Sequence, residues 1–336
     1  MNIKRIGLTA LAGSLIATSA FAGELAISGG AKLSYTTFGG SIVSAGAAGD
    51  LVSSGFAMDQ EMTAKGSAEL DNGFTVSVTH ALAATGGSSS DSSTLTLDMG
   101  DLGKLTYDDT DGHAGLAGLE DKMPLAYEQA NDGIGTKASK ANMAKMASGQ
   151  GFGYSTTFAG AAVSIGYSDG LGASTDRSDG KQDVTALSTS SSSSIAITYD
   201  FESLGLTVFG GSGSEGQGDG KDIDHTTFGA IYAYGPVKVG YQINDEDDSD
   251  STSTTTDLET EIMSIAFVVN DNLSISYGEH NSDVAGSSTD QEIESIQASY
   301  SMGGMTFNIK DSEASGLGNT VNTTHDTTEI LLTFAF

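Results

Sequence analysis

The stretch that decides the fold is the last one, Thr327-Thr328-Glu329-Ile330-Leu331-Leu332-Thr333-Phe334-Ala335-Phe336. Ile330, Leu332, Phe334 and Phe336 fall on one side of a period-2 ladder, and Glu329, Leu331, Thr333 and Ala335 on the other, as side chains alternate along a strand. Chain ends usually fray, so an amphipathic strand that runs to a terminal aromatic needs a partner. A sheet closed on itself supplies one, because its last strand pairs with its first and no edge remains. Leu331 departs from the pattern, since a polar residue belongs at that inward position.

The other end points the same way. Met1-Asn-Ile-Lys4-Arg5 is a basic head, Leu8 to Ala17 is apolar, and Ala20-Phe21-Ala22 fits the small-x-small cleavage pattern. Residues 1–22 therefore read as a cleaved export signal and 23–336 as one barrel domain. A membrane-anchoring helix is the alternative, but the apolar run is too short to span a bilayer.

Composition narrows the classes. Without Lys4 and Arg5 the 14 basic residues fall to 12 against 44 acids, a net charge of −32. Such an excess repels phosphates and excludes nucleic acid as a partner. With no cysteine there is no disulfide framework and no thiol chemistry. Low hydrophobicity with high charge also marks disordered chains, but the periodicity argues against that.

Apolar residues alternate in blocks of about ten, separated by turn residues. The blocks predict sixteen antiparallel strands: 24–39, 55–70, 73–84, 92–99, 103–108, 151–158, 161–168, 193–201, 204–212, 225–234, 236–243, 259–269, 272–280, 291–301, 304–311 and 327–336. Connections alternate between tight turns, such as Asp71-Asn72, Ala159-Gly160, Gly235-Pro236 and Asn270-Asp271, and long acidic loops, the longest at 109–150. The fold class is all-β, a 16-stranded transmembrane barrel with short periplasmic turns and long extracellular loops. Phe74, Phe158, Phe201, Tyr234 and Phe336 lie beside the short turns, and Tyr35, Tyr107, Tyr167, Tyr241 and Tyr277 nearer the long loops. Two aromatic girdles at the membrane interfaces account for both bands; the β-propensity of Tyr and Phe is the alternative, which accounts for rings in strands but less well for two bands.

The cleavable leader, the start Glu24-Leu-Ala-Ile-Ser-Gly-Gly-Ala-Lys-Leu33, the segment Asp98-Met-Gly-Asp-Leu-Gly-Lys-Leu-Thr-Tyr107, the long third loop and the terminal Phe together resemble general diffusion porins of the alphaproteobacterial, Rhodobacter type. The resemblance covers essentially the whole mature chain, on short and degenerate motifs. It implies a homotrimer in the outer membrane of a Gram-negative cell, with a third loop folded into the lumen. It also implies contact with lipid and lipopolysaccharide, assembly by the barrel-assembly machinery through Phe336, and small hydrophilic solutes as cargo.

The strand lysines Lys32, Lys65, Lys104, Lys238 and Lys310 all fall on the inward parity. Any barrel requires this, since a lysine facing hydrocarbon costs roughly 2–4 kcal/mol. Strands one, two and fifteen are near neighbours in a closed barrel, so Lys32, Lys65 and Lys310 are candidates for a basic wall patch, with Asp59, Glu61 and Glu69 beside Lys65. The third loop carries Asp109, Asp111, Glu120, Asp121, Glu128 and Asp132. Folded inward, these acids face the wall lysines across a constriction that selects by size and charge. Folded outward, the same loop is a solvated surface. Lys122, Lys137, Lys140 and Lys145 make its second half basic, and 137–147 reads as a short helix, so either half could reach the constriction.

Acidic clusters such as Asp108-Asp109-Thr-Asp111 offer hard oxygen ligands, but none has the spacing of a calcium loop. Loosely held divalent cations such as Ca2+ at Asp108, Asp109 and Asp111 are the most the pattern supports, with no other cofactor expected. His80, His113, His225, His280 and His325 are scattered without metal-ligand spacing, and no nucleophile stands out. The chain reads as a passive, modestly cation-selective channel and not as an enzyme. A substrate-specific channel and a non-conducting surface or adhesive barrel are the alternatives. A soluble acidic solenoid lacks the fixed repeat it would need.

Overall fold

The computed structural model describes residues 23–44, 47–50, 53–83, 89–108, 114–134, 151–168, 191–216, 222–248 and 257–336. In chain order the strands are β1 (Glu24–Gly39), β2 (Ser41–Ser44), β3 (Ala47–Asp50), β4 (Ser53–Glu69), β5 (Thr75–Ala83), β6 (Ser89–Asp98), β7 (Lys104–Asp108), β8 (Gly151–Phe158), β9 (Ala161–Ser168), β10 (Ser192–Phe201), β11 (Leu206–Gly216), β12 (Asp222–Tyr234), β13 (Val237–Asp248), β14 (Leu258–Asn270), β15 (Leu273–Val284), β16 (Gln291–Met302), β17 (Met305–Ser315) and β18 (Thr324–Ala335). Among the described residues, β2 and β3 form a separate hairpin, and the other sixteen strands close into one barrel by β1 pairing with β18. Every expected strand is present. The expected leader, residues 1–22, lies outside the described residues.

The seam places Leu33 opposite Leu332 and Lys32 opposite Thr333. Its last rung is Phe336, whose backbone oxygen accepts from Gly29 N at 2.9 Å and whose N–H donates to Gly29 O at 2.9 Å. The Phe336 ring lies over Gly29, where a Cβ would come within 2.8 Å of its Cε2. The terminal aromatic thus completes the ladder.

The barrel is apolar outside. Phe56 is 77% exposed and Ile27 and Ile296 are each 66% exposed, which is stable only against lipid or an apolar protein neighbour. Near the long loops Tyr35 packs on Phe56 and Tyr107 on Phe152, while Tyr199 packs on Phe201 beside a short turn. At the turn Ala159-Gly160 both residues have positive φ, 51° and 84°, the geometry that matches the twist of paired strands.

Seven strands run three or more residues past expectation at their long-loop ends. β11 runs to Gly216, β13 to Asp248, β15 to Val284 and β17 to Ser315, while β6 starts at Ser89, β12 at Asp222 and β18 at Thr324. Polar residues there show no hydrophobic alternation, since above the lipid band neither face is forced to be apolar, yet the backbone ladder continues. In this region Glu279 stands opposite Glu294, Glu294 opposite Glu313, and Glu313 opposite Asp326, all on the outward parity. The outward parity of β1, β4 and β5 carries no charged residue.

Candidate functional site

The third loop follows β7, and its described part, residues 114–134, lies inside the barrel. It needs partners for backbone groups taken out of bulk water, and the inward side chains of successive strands supply them. Gly115 N donates to Ser164 Oγ on β9 at 2.8 Å, and Leu116 N to Ser194 Oγ on β10 at 3.1 Å. Gln242 on β13 donates to Leu119 O at 3.3 Å, and Ala126 N donates to Ser276 Oγ on β15 at 2.8 Å. Gln297 Oε1 on β16 accepts from Tyr127 N and Glu128 N at 3.0 and 3.1 Å, and its Nε2 donates to Glu128 O at 2.7 Å. The loop is laced along the wall from β9 to β16.

Apolar packing seals the first part. Leu116, Leu119 and Met123 are buried with Ala196, Phe209 and Ile262, and Ile231 packs against them. The wall residues of this cluster sit on the inward parity, where a water-filled lumen calls for polar groups. They are apolar because they face the loop. The wall is also notched. A Cβ on Gly211 would lie 2.7 Å from Leu116 Cδ2, one on Gly240 2.5 Å from Pro124 Cδ, and one on Gly278 2.8 Å from Leu125 Cδ2. Further along, Ile134 packs with Ile293, Ala314 and Leu317.

The most concentrated polar contact is at β17. Lys310 is 3% exposed, and its ammonium donates to Glu128 Oε1 at 2.9 Å, Gln129 O at 2.7 Å and Asp132 O at 2.6 Å. Asp132 Oδ2 accepts from Gln129 N at 3.0 Å, which closes the turn. Beside it Tyr127 donates its hydroxyl to Glu329 Oε1 on β18 at 2.7 Å. Burial raises the Glu128 carboxyl above its ordinary pKa, against the pull of Lys310. Burial raises Asp132 in the same way. Tyr127 is pushed up by burial and then by Glu329, so its hydroxyl stays a donor.

The structure therefore brings Lys310, Glu128 and Asp132 together. Lys32 and Lys65 are exposed on the inward parity of β1 and β4, Lys32 directly opposite Asp59 and Lys65 opposite Thr79. Glu61 accepts from Thr63 Oγ1 at 2.8 Å, and with Lys32 and Asp59 it lines a cavity of about 530 Å³. Glu69 is exposed beside the β4–β5 turn, opposite Thr75. On the loop Glu120 is half-buried and Asp121 exposed. Asp109 and Asp111 lie outside the described residues, as do Lys137, Lys140 and Lys145. Asp108 accepts from Thr94 Oγ1 at 3.0 Å. Among the described residues no group of three or more His, Asp or Glu side chains could hold a metal. A second cavity of about 760 Å³ lies between the loop and β8–β10, lined by Lys104, Lys122, Asp101, Leu119 and Thr198 among others.

Sequence reasoning did not single out Gln297, Gln242, Tyr127, Ser164, Ser194 or Ser276. The signal was available as inward-parity departures: apolar Phe209, Ile231, Ile262 and Ile293, and glycines at Gly211, Gly240 and Gly278.

A family model described as Gram-negative porin matches residues 7–309. A porin structure refined at 1.8 Å superimposes with a TM-score of 0.65 at 16% identity, covering 93% of this chain and 100% of that one. A triple mutant of the Rhodopseudomonas blastica porin gives a TM-score of 0.63 at 15% identity with the same coverage. No curated protein sequence matches the chain.

Proposed function

The chain belongs to the Gram-negative porin family, and from that premise we propose that it is a general diffusion channel of the Rhodobacter type, passing small hydrophilic solutes and ions with a modest preference for cations. One observation carries the reading. The loop is fastened inside the lumen along β9 to β18, which leaves the polar inward face of β1 and β4 open to water. On that open wall Lys32 stands opposite Asp59 with Glu61 lining the same cavity, and Lys65 lies further along β4; Glu120 and Asp121 are the loop carboxylates proposed to face them. Opposed charges at a narrowing order water and filter solutes by size and charge. The surplus of acids, 44 against 14 bases over the whole chain, concentrates cations at the mouth.

The working unit is proposed to be a homotrimer. The outward face of β1 and β4 offers Gly29, Ala31, Ala64, Gly66 and Ala68, with Gln60 among them, and His80 on β5 lies 2.6 Å from Ser93 Oγ. Small and polar residues serve a second copy better than hydrocarbon. The rest of the outward face meets lipid and, above it, lipopolysaccharide. Opposed carboxylates such as Glu294 and Glu313 repel one another, and loosely held divalent cations between them and lipid phosphates would relieve this. The exported chain is delivered by a cleaved leader and inserted through its Phe336 strand.

Reversal potentials across a planar bilayer under a KCl gradient test the channel. Cation preference at low salt that fades toward 1 M, where the Debye length is about 3 Å, is the expected result. Anion preference at low salt overturns the selectivity. A liposome-swelling series that saturates with one solute, instead of following size, overturns the general-diffusion reading.

A further inference from the structure

We propose that Lys310 is a positioning residue that sets the width of the channel by tethering the loop, and that its charge takes no part in selecting solutes. The proposal rests on the channel reading above. Lys32, Lys65 and Lys238 share the inward parity of their strands with Lys310 and are exposed, whereas Lys310 is 3% exposed. An ammonium has three donors, and all three of this one are engaged, by one carboxylate and two backbone oxygens of residues 128–132. Such a charge cannot attract a passing anion. It is a compact point charge on a flexible stem, which suits three acceptors converging from one turn better than a planar guanidinium would.

The position of the tether gives it control of the opening. Lys310 lies opposite Gln297 on β16 and Glu329 on β18, and these three side chains grip residues 127–132 from adjacent strands. β18 is the strand that pairs with β1, where the open wall begins. The docked edge at Tyr127 and Glu128 is therefore the rim of the opening on this side. Without the ammonium, Glu128 would be a buried carboxylate with no cation, and it gains most by moving into the aqueous lumen. The rim moves inward with it.

The test compares K310M with K238M, which removes the same charge from an exposed lysine near the β12–β13 turn, and with the double variant K310M/E128Q. Polymer exclusion in planar bilayers reads the width, and hydrogen exchange of the Tyr127 and Glu128 amides reads the docking. K310M should shift the exclusion threshold to smaller polymers and speed exchange at both amides at least tenfold. K238M should leave both unchanged, and K310M/E128Q should recover part of the threshold because the drive toward water is gone. Unchanged exchange in K310M overturns the tether whether or not the protein conducts. Faster exchange with an unchanged threshold, or a threshold shift equal to that of K238M, overturns the control of width. A wild-type protein that does not conduct at all overturns the channel reading, and with it the control of width.

Discussion

Replacing Gly240 by valine tests whether the wall dictates where the loop lies. Gly240 sits on the inward parity of β13, and a Cβ there would come 2.5 Å from Pro124 Cδ and 2.8 Å from Met123 Sδ. Carbon contacts settle at about 3.5–4.0 Å, so the loop must retreat by roughly 1 Å or more, and a proline ring cannot fold aside. Forcing the extra bulk into place costs about 1–3 kcal/mol. Lifting the loop instead strains two flanking anchors, Gln242 to Leu119 O and Ala126 N to Ser276, at about 0.5–1.5 kcal/mol each. The two costs are comparable, so the loop should yield and move toward the lumen centre. Single-channel conductance in KCl should fall and the polymer exclusion threshold should shrink, with the reversal potential little changed. Gly55→Val is the control, since nothing lies within 4 Å of a Cβ built at Gly55. If G240V conducts like the wild type, or G55V narrows the channel as much as G240V does, the notch does not position the loop.

Burial raises Glu128 and Asp132 above the ordinary carboxylate values of about 4. A raised acid penalises the docked loop at neutral pH, and the penalty is relieved as pH falls through the raised value toward the ordinary one. Mild acidification should therefore slow amide exchange at Tyr127 and reduce cation preference at a pH above the ordinary carboxylate range, and E128Q should remove part of both changes. Deleting Phe336 removes the two backbone bonds to Gly29, each 2.9 Å, a loss of about 1–3 kcal/mol. The temperature at which the barrel unfolds on semi-native gels should fall, and an unchanged temperature would show that the last rung contributes nothing. Gly29→Leu should lower it too, by pushing aside the Phe336 ring.

Much of the barrel was legible because alternation is a local signal. Lipid on one face and water on the other force each strand to write the pattern in its own residues, so all sixteen strands and the pairing of the first with the last could be read, the last from residue 327 where the strand itself starts at Thr324. The pattern stopped being legible where that force stops. Above the lipid band, β13 and β15 run on from Asn244 to Asp248 and from Asn281 to Val284 with no apolar stripe to mark them.

The loop divides the same way. Composition alone marked 109–150 as long and acidic, and the inward parity of Lys310 followed from the cost of a charge in hydrocarbon. Which acid Lys310 meets is a question of tertiary structure, since Glu128 lies 182 residues away along the chain. Leu331 was an anomaly in the closing strand, and it is buried on the lumen side, two residues from the Glu329 that holds Tyr127. By itself the sequence determined a closed barrel, because each strand answers to its own two solvents. Only the tertiary structure decided which part of the lumen is filled and which lysine is withdrawn from it, because those depend on a loop packing against strands remote in sequence.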